Sequence, residues 1–135
     1  MKKLGLIGFP LGHSFSKKYY VQKMAEEAIE GVDYDLHPIE NITHFPNLYS
    51  DSENGLSGCN VTIPYKQAVI PYLDELSEEA QFIGAVNCIT IERKVDGSSF
   101  LKGYNTDALG FEQSLLPLLK PTLHTHALVL GNGGA

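Results

Sequence analysis

Two serines one residue apart, Ser14 and Ser16, stand where a loop rich in glycine and proline gives way to a helical pattern, in the stretch GFPLGHSFSKKYY. A serine at the start of a helix accepts a backbone hydrogen bond that would otherwise be missing, so helix capping is one interpretation of the pair. The other interpretation is an anion site, because two hydroxyls beside unpaired helix N–H groups suit a negatively charged ligand. The two serines alone do not decide between capping and binding.

Polar side chains that could bind or react also occur in three later segments: NVTIPYK at 60–66, GAVN at 84–87 and GYNTD at 103–107. Taken singly, Asn, Thr and Asp are common in turns and helix caps, and a lysine is common on a solvated helix face. Three of the four polar segments, however, flank predicted strands. Because ligands collect at the carboxyl ends of strands in open α/β sheets, we expect the segments to converge on one crevice. The polar residues concerned are Asn60, Thr62, Lys66, Asn87 and Asp107.

The first half of the chain alternates strand and helix patterns. LGLIG at 4–8 is a short apolar run closed by glycine, which is typical of a strand buried on both faces of a parallel sheet. Helical spacing follows over residues 16–30. A second strand is predicted at 32–39, an irregular helical connection at 40–51 and a third strand at 56–64. This alternation predicts a right-handed parallel sheet.

The second half of the chain adds short helices and a hairpin. The β-rich run 86–105 is divided by Asp96-Gly97, a pair typical of a two-residue hairpin turn. Helical segments are predicted at 65–73, 77–85 and 106–119. The predicted fold class is therefore α/β, with a mainly parallel open sheet, flanking helices and a β-hairpin.

Composition restricts the class of partner. The 135 residues suit one ordinary domain, and ten Lys and Arg against sixteen Asp and Glu give a formal net charge of -6. That balance disfavours binding to nucleic acid or to an anionic membrane. No stretch approaches the ~20 apolar residues that span a bilayer, so a cytoplasmic location is expected. Cys59 and Cys88 have no Cys or His at metal-ligand spacing, which favours reduced, buried thiols and no metal site.

The chain ends on HALVLGNGGA, an apolar strand pattern that runs into a glycine-rich turn. Such a turn lets backbone N–H groups approach the pyrophosphate of a dinucleotide at a helix N-terminus. We interpret this end as the first strand of a truncated Rossmann-like domain. Without partner strands, the apolar segment could pair with another chain, so a homodimer stays open. The predicted cofactor-binding positions are Gly131, Asn132, Gly133, Gly134 and Ala135.

Four motifs, taken in order, resemble the shikimate dehydrogenase family. That family carries GxPxxHSxS, NVTxPxK, GAVN and NTD, and this chain has GFPLGHSFS, NVTIPYK, GAVN and NTD, followed by GNGGA where the family begins its cofactor turn. The resemblance covers nearly the whole chain, and the ordered combination is far more specific than any one motif. Three departures lie beside the motifs: Lys17 where the family often has Pro, Tyr19-Tyr20 near its His-Asn, and Ala108 where Gly is frequent.

The resemblance implies a substrate-binding domain at 1–104, a linking helix at 105–121, and the first strand and glycine turn of an NADP-binding domain at 122–135. It implies an oxidoreductase that reversibly reduces the small molecule 3-dehydroshikimate to shikimate with NADPH, in the chorismate route to aromatic amino acids. This chain alone would be inactive, because most of the cofactor domain would be missing. By position, Ser14 and Ser16 would hold the substrate carboxylate. The ring oxygens would be held by Thr62, Lys66, Asn87 and Asp107.

Within that reaction, Lys66 and Asp107 are the predicted catalytic residues. Hydride reduction of a ketone leaves negative charge on oxygen, which an ammonium group stabilises and can protonate. Asp107 would orient the lysine, and which of the two moves the proton in the reverse direction stays open. His13 is interpreted as a loop-packing or hydrogen-bonding residue, because only its titration range favours acid–base chemistry.

Two alternatives stay open at this point. One is an enzyme of the same family that acts on quinate and uses NAD, since the residues that choose between NAD and NADP normally follow the glycine turn. The other is a non-catalytic module that binds a small polyhydroxy acid.

Overall fold

The computed structural model describes residues 1–51, 55–120 and 122–130. Within these ranges the chain forms six strands, four α-helices and three short 3-10 helices. The strands are β1 (Lys2–Gly8), β2 (Val32–Pro38), β3 (Gly58–Val61), β4 (Glu75–Leu76), β5 (Cys88–Arg93) and β6 (Ser99–Tyr104). The α-helices are α1 (Ser16–Glu26), α2 (Tyr65–Ala68), α3 (Glu78–Ile83) and α4 (Asp107–Leu115), and the 3-10 helices span Ile42–Leu48, Ile70–Tyr72 and Leu116–Leu118.

The six strands form one sheet in the order β2-β1-β3-β5-β6-β4. Strand β1 runs parallel to β2 and β3, and β4 runs parallel to β6. Strand β5 is antiparallel to both of its neighbours, β3 and β6. The predicted fold class, a mainly parallel α/β sheet with a hairpin, is confirmed. Because β5 is reversed, its amino end lies at the same sheet edge as the carboxyl ends of β1, β3 and β6.

The predicted hairpin is formed by β5 and β6, but its turn is longer than two residues. Lys94 N–H donates to the Ser98 carbonyl at 2.9 Å, so three residues separate the last hydrogen-bonded pair. Gly97 has φ of 83° and occupies the left-handed position that such a turn requires. Asp96 Oδ1 accepts a hydrogen bond from Ser98 N–H at 2.9 Å, and this bond also stabilises the turn.

Helix α1 ends earlier than its apolar spacing predicts. It stops at Glu26, and Ala28 follows with φ of 52°, a left-handed conformation that does not continue a helix. Met24 and Tyr20 of α1 still pack against a small cluster formed by Leu6, Leu11 and Tyr34. Helix α1 therefore covers part of one face of the sheet. The larger core lies on the opposite face, beneath the short helices. Its most deeply buried side chains are Ile7, Phe45, Val69, Val86 and Ile89.

Over residues 124–130, the part of the predicted terminal strand that the structure describes, no strand is formed. The described residues from 124 to 130 belong to no strand or helix, and the side chains of Leu128, Val129 and Leu130 are exposed. A strand needs a hydrogen-bonded neighbour, and within the described ranges no strand of the six-stranded sheet pairs with this segment. The predicted cofactor-binding positions, Gly131, Asn132, Gly133, Gly134 and Ala135, lie outside the described residues. Among the helices described, none has both the length and the apolar character that crossing a bilayer requires.

His37 gives the fold a pH dependence that can be measured. Its ring packs over Gly5, where an added Cβ would lie 2.5 Å from His37 Cδ2. Burial lowers the pKa of His37 below 6.5, and the nearby Asp35 and Asp33 oppose that shift more weakly. The unfolded chain therefore binds a proton more readily than the folded protein, so the free energy of unfolding should fall as pH drops below about 6.5.

The pH dependence of the free energy of unfolding can be measured by urea unfolding at pH 7.5 and pH 5.0. In His37→Gln, which cannot take up this proton, the loss of stability between the two pH values should be smaller than in the wild type. His44→Gln, at an exposed position, is the matched control and should behave as the wild type. Identical pH dependence in His37→Gln and the wild type would contradict the assignment.

Candidate active site

The site is a cavity of about 330 Å³ at the sheet edge where β1, β3 and β6 end and β5 begins. Five of the six predicted substrate-binding residues line it, and they come from four separate places in the chain. They are Ser16, Thr62, Lys66, Asn87 and Asp107. The sheet topology explains this convergence, because the reversed β5 brings its amino end to the edge that the other three strands reach with their carboxyl ends.

Ser14 lies beside this cavity in a second one of about 360 Å³, which Ser16 and Thr62 also line. The two cavities therefore adjoin at Ser16 and Thr62. Ser14 Oγ accepts a hydrogen bond from Ser16 N–H at 3.3 Å, at the first residue of α1. Ser14 thus holds the start of the helix and also lines this second cavity, whose polar members are Ser14, Ser16, Thr62 and His13. Capping and ligand binding are compatible in this pair.

A chain of hydrogen bonds joins the two predicted catalytic residues to Asn87. Lys66 Nζ donates to Asp107 Oδ2 at 2.6 Å. The other carboxylate oxygen, Oδ1, accepts a bond from Asn87 Nδ2 at 2.8 Å. The Lys66 side chain is 14% exposed and that of Asp107 is 45% exposed, so the ammonium is enclosed while the carboxylate stays partly in water. This geometry orients the ammonium from one side and leaves its other N–H donors for a ligand.

Asn87 is buried and every polar end of its side chain has a partner. Its Nδ2 donates to Thr106 Oγ1 at 2.8 Å as well as to Asp107, and its Oδ1 accepts from Thr106 N–H at 2.9 Å. Its backbone N–H donates to the Tyr104 carbonyl at 2.9 Å. These bonds tie the start of β5 to the end of β6, so Asn87 fixes the direction in which α4 leaves the sheet.

Asn105 completes the start of α4. Its Oδ1 accepts from Asp107 N–H at 3.1 Å and its Nδ2 donates to the Ala85 carbonyl at 3.0 Å. Asn105 is as buried as Asn87, with 9% of its surface exposed in each case. It therefore caps the helix in place of Thr106, the residue at the N-cap position, whose side chain makes no capping bond. Asp107 is thereby held as the first helical residue, facing Lys66.

Lys66 is positioned by the loop and short helix that follow β3. Thr62 N–H donates to the Ile7 carbonyl at 2.9 Å, which ties this loop to the end of β1. The carbonyl of Lys66 accepts from Val86 N–H at 2.7 Å, and the hydroxyl of the adjacent Tyr65 donates to the Ile39 carbonyl at 2.6 Å. The main chain on both sides of the lysine is therefore anchored to the core.

Three further polar residues line the site cavity: Tyr20, Asn60 and Thr106. The sequence predicts Asn60 at the crevice without a specific contact, and it predicts no role for Tyr20 or for Thr106 of the GYNTD segment. Tyr20 lies on α1 at one of the departures from the family pattern, and no motif marked it. Its place could be inferred only from helical spacing, because Tyr20 follows Ser16 by four residues, about one turn.

His13 and the two cysteines lie away from the Lys66–Asp107 pair. His13 lines the second cavity beside Ser14, at an exposed position, and its interpretation as a packing or hydrogen-bonding residue stays a prediction. Cys59 and Cys88 are free thiols, and burial raises the pKa of both. Neutral thiols of this kind do not supply a nucleophile.

A comparison with protein families finds a match over most of the described sheet. The family described as shikimate dehydrogenase substrate binding domain matches residues 6–89. The matched range begins in β1 and ends in β5, so it includes the two serines, Lys66 and Asn87 but stops before Asp107.

Curated relatives match nearly the entire chain. "Shikimate dehydrogenase (NADP(+))" of Clostridium perfringens strain 13 is 42% identical over 138 residues, covering 100% of this chain and 48% of the relative. The protein of the same name from Halothermothrix orenii is 41% identical over 138 residues, covering 98% of this chain and 44% of the relative. The chain thus spans about half the length of the curated relatives it matches.

Solved structures share the fold. The shikimate 5-dehydrogenase of Thermus thermophilus, determined in complex with shikimate, superposes with a TM-score of 0.70 at 32% identity. The similarity covers 85% of this chain and 42% of that one.

Proposed function

This chain belongs to the shikimate dehydrogenase substrate binding domain family, and on that premise we propose that it binds shikimate and 3-dehydroshikimate as the substrate half of an NADP-dependent shikimate dehydrogenase. The observation that carries the proposal is the hydrogen-bonded series Lys66–Asp107–Asn87 in one cavity with Ser16 and Thr62. A cyclic polyhydroxy acid needs a carboxylate site at one end and several donors and acceptors at the other. The two adjoining cavities supply both kinds of group.

The serines would bind the substrate carboxylate. Ser14 and Ser16 line the recess at the start of α1, where hydroxyl donors and helix N–H groups favour a negative charge. The net charge of the chain is -6, so this preference is local and does not come from a basic surface. The ring hydroxyls and the ketone would then lie toward Thr62, Lys66 and Asn87.

The reaction would reduce the ring ketone to an alcohol. The nicotinamide cofactor supplies the hydride to the carbonyl carbon, and the oxygen gains one proton. Lys66 would stabilise the developing negative charge and give up that proton, and two observations support this role: its ammonium lies 2.6 Å from Asp107 Oδ2, and only 14% of its side chain is exposed. Asp107 would orient the ammonium and balance its charge. Asn87 would hold Asp107 and, because both of its N–H donors are used, would accept from a ring hydroxyl through the second lone pair of Oδ1.

The cofactor assignment rests on the relatives, whose names specify NADP(+). In this chain the proposed cofactor positions are the five residues of the glycine turn, Gly131 to Ala135, which lie outside the described residues. The proposed domain division keeps 1–104 for the substrate, 105–121 as a linking helix and 122–135 for the start of the cofactor domain. A cytoplasmic location and a homodimer remain further parts of the proposal.

The proposed carboxylate site can be tested with this 135-residue chain alone. Each hydrogen bond to a charged group contributes roughly 1.5–3 kcal/mol, so Ser14→Ala or Ser16→Ala should weaken shikimate binding by about one to two orders of magnitude. Calorimetric or NMR titration measures this change. Ser50→Ala, at an exposed serine after the Ile42–Leu48 helix, is the control and should bind as the wild type. Unchanged binding in both serine variants would contradict the carboxylate site and leave helix capping as the only role of the two serines.

A further inference from the structure

Tyr34 lies behind the wall of the site cavity and reaches one of its lining residues. It belongs to the edge strand β2, and only 3% of its surface is exposed. Its hydroxyl donates a hydrogen bond to Asn60 Oδ1 at 3.0 Å. Asn60 belongs to β3 and lines the site cavity beside Ser16 and Thr62. Strand β1 lies between the two, so the Tyr34 side chain crosses a strand to make this bond.

The bond determines which end of the Asn60 amide is available to a ligand. An amide group has an oxygen that accepts and a nitrogen that carries two N–H donors. Because Oδ1 is held by Tyr34, the N–H donors remain for the two cavities that Asn60 lines, the site cavity and a neighbouring one of about 240 Å³ that Tyr34 also lines. A hydroxyl or carbonyl oxygen of a polyhydroxy acid can accept from them. An amide free to turn would offer its oxygen for part of the time and lose that match.

Tyr34 is itself held in place. Its ring stacks on the ring of Tyr20, with centroids 4.4 Å apart and planes inclined by 28°. Burial raises the pKa of Tyr34, so its hydroxyl keeps its proton and stays a donor at neutral pH.

We propose that Tyr34 is a positioning residue for the substrate: by holding Asn60 Oδ1, it directs the Asn60 N–H donors toward a ring oxygen of the bound polyhydroxy acid. This inference rests on the proposed function. Tyr34 does not line the site cavity and acts only through Asn60. Its role therefore differs from that of the residues that contact the ligand.

The hydrogen bond can be tested without a ligand through Tyr34→Phe, which removes the hydroxyl and keeps the stacked ring. In the wild-type chain, the side-chain NMR signals of Asn60 should report one fixed amide orientation. In Tyr34→Phe, the NMR order parameter of the Asn60 side-chain amide should fall, because the group is free to turn once Oδ1 loses its partner. Equal order parameters in the two chains would overturn the proposal.

The effect on binding is measured with shikimate. Its Kd should rise by about 3- to 10-fold in Tyr34→Phe, the value of one neutral hydrogen bond. Asn60→Ala should weaken binding at least as much, and the double variant should bind no worse than Asn60→Ala, because Tyr34 acts through Asn60. A merely structural role would instead make the two losses multiply, and that result would overturn the proposal.

Tyr49→Phe is the matched control, because it also removes the hydroxyl of a tyrosine whose ring packs on another aromatic ring, that of Phe45, and Tyr49 does not line the site cavity. It should leave the Asn60 order parameter and the shikimate Kd unchanged. A wild-type chain that bound no shikimate would overturn the proposed function and this inference together. Normal binding in the wild type and an identical Kd in Tyr34→Phe would overturn only the role of Tyr34.

Discussion

Replacing Lys66 with alanine in a shikimate dehydrogenase that contains this chain should lower kcat for shikimate oxidation by about 10²–10⁴-fold, the range of a positioned acid–base group. The ammonium is enclosed, with 14% of the side chain exposed, and lies 2.6 Å from Asp107 Oδ2. In the alanine variant, a water molecule that filled the vacated space would not supply the positive charge of the ammonium. KM should change much less, because Ser14, Ser16 and Asn87 would still hold the ground-state substrate. Steady-state kinetics with NADP gives both quantities.

Two further variants separate the lysine's roles. Asp107→Asn should also slow turnover, and the double variant should lose less than the product of the single losses, because the two side chains are hydrogen-bonded to each other. Lys102→Ala is the matched control, since Lys102 also pairs with a carboxylate, that of Glu75 at 2.6 Å, but lies outside the cavity. Its kcat should equal that of the wild type. A Lys66 variant with normal kcat and a greatly raised KM would make Lys66 a binding residue and leave the proton donor unidentified.

Asn87→Ala should cause the second large effect, on binding and on stability together. The variant loses a bond to a ring hydroxyl and releases Asp107, and two such losses correspond to about a 100-fold weaker affinity for shikimate. It also leaves Thr106 N–H without its side-chain partner. The free energy of unfolding should therefore fall by about 1–3 kcal/mol, because a buried asparagine that makes three side-chain hydrogen bonds is removed. Titration and urea unfolding measure the two effects.

The matched control for Asn87 is Ile91→Val. This variant shortens a buried side chain of β5, the strand that follows Asn87, and Ile91 lies outside the cavity. It should cost about 0.5–1.5 kcal/mol of stability and leave the shikimate affinity unchanged. If both variants bound shikimate equally well, Asn87 would be a structural residue only, and the ring end of the proposed site would need other partners.

The general position of the site could be predicted from the sequence. Ser16, Thr62 and Lys66 follow strands whose apolar patterns are clear, and strand ends in an α/β sheet gather at one edge. Asn87 precedes its strand, so its place depended on the direction of β5. The Asp96-Gly97 turn predicts that β5 and β6 are antiparallel, but not which of the two runs against β1 and β3.

The details that the sequence left open involve side chains that meet across the sheet. The bond from Tyr34 to Asn60 spans three strands, and no local pattern encodes it. The early end of α1 depends on Ala28 with φ of 52°, a conformation that helix propensity does not anticipate. The apolar residues near 128–130 follow a strand pattern, but pattern alone does not supply the neighbour that a strand needs.

The most direct test of the proposed function is an NMR titration of this 135-residue chain with shikimate, and separately with quinate. We expect saturable binding of shikimate, with the largest chemical-shift changes at the residues around the two adjoining cavities, and weaker binding of quinate. The residues expected to shift are Ser14, Ser16, Thr62, Lys66, Asn87 and Asp107. Shifts that do not saturate, shifts confined to other parts of the chain, or tighter binding of quinate would contradict the proposed function.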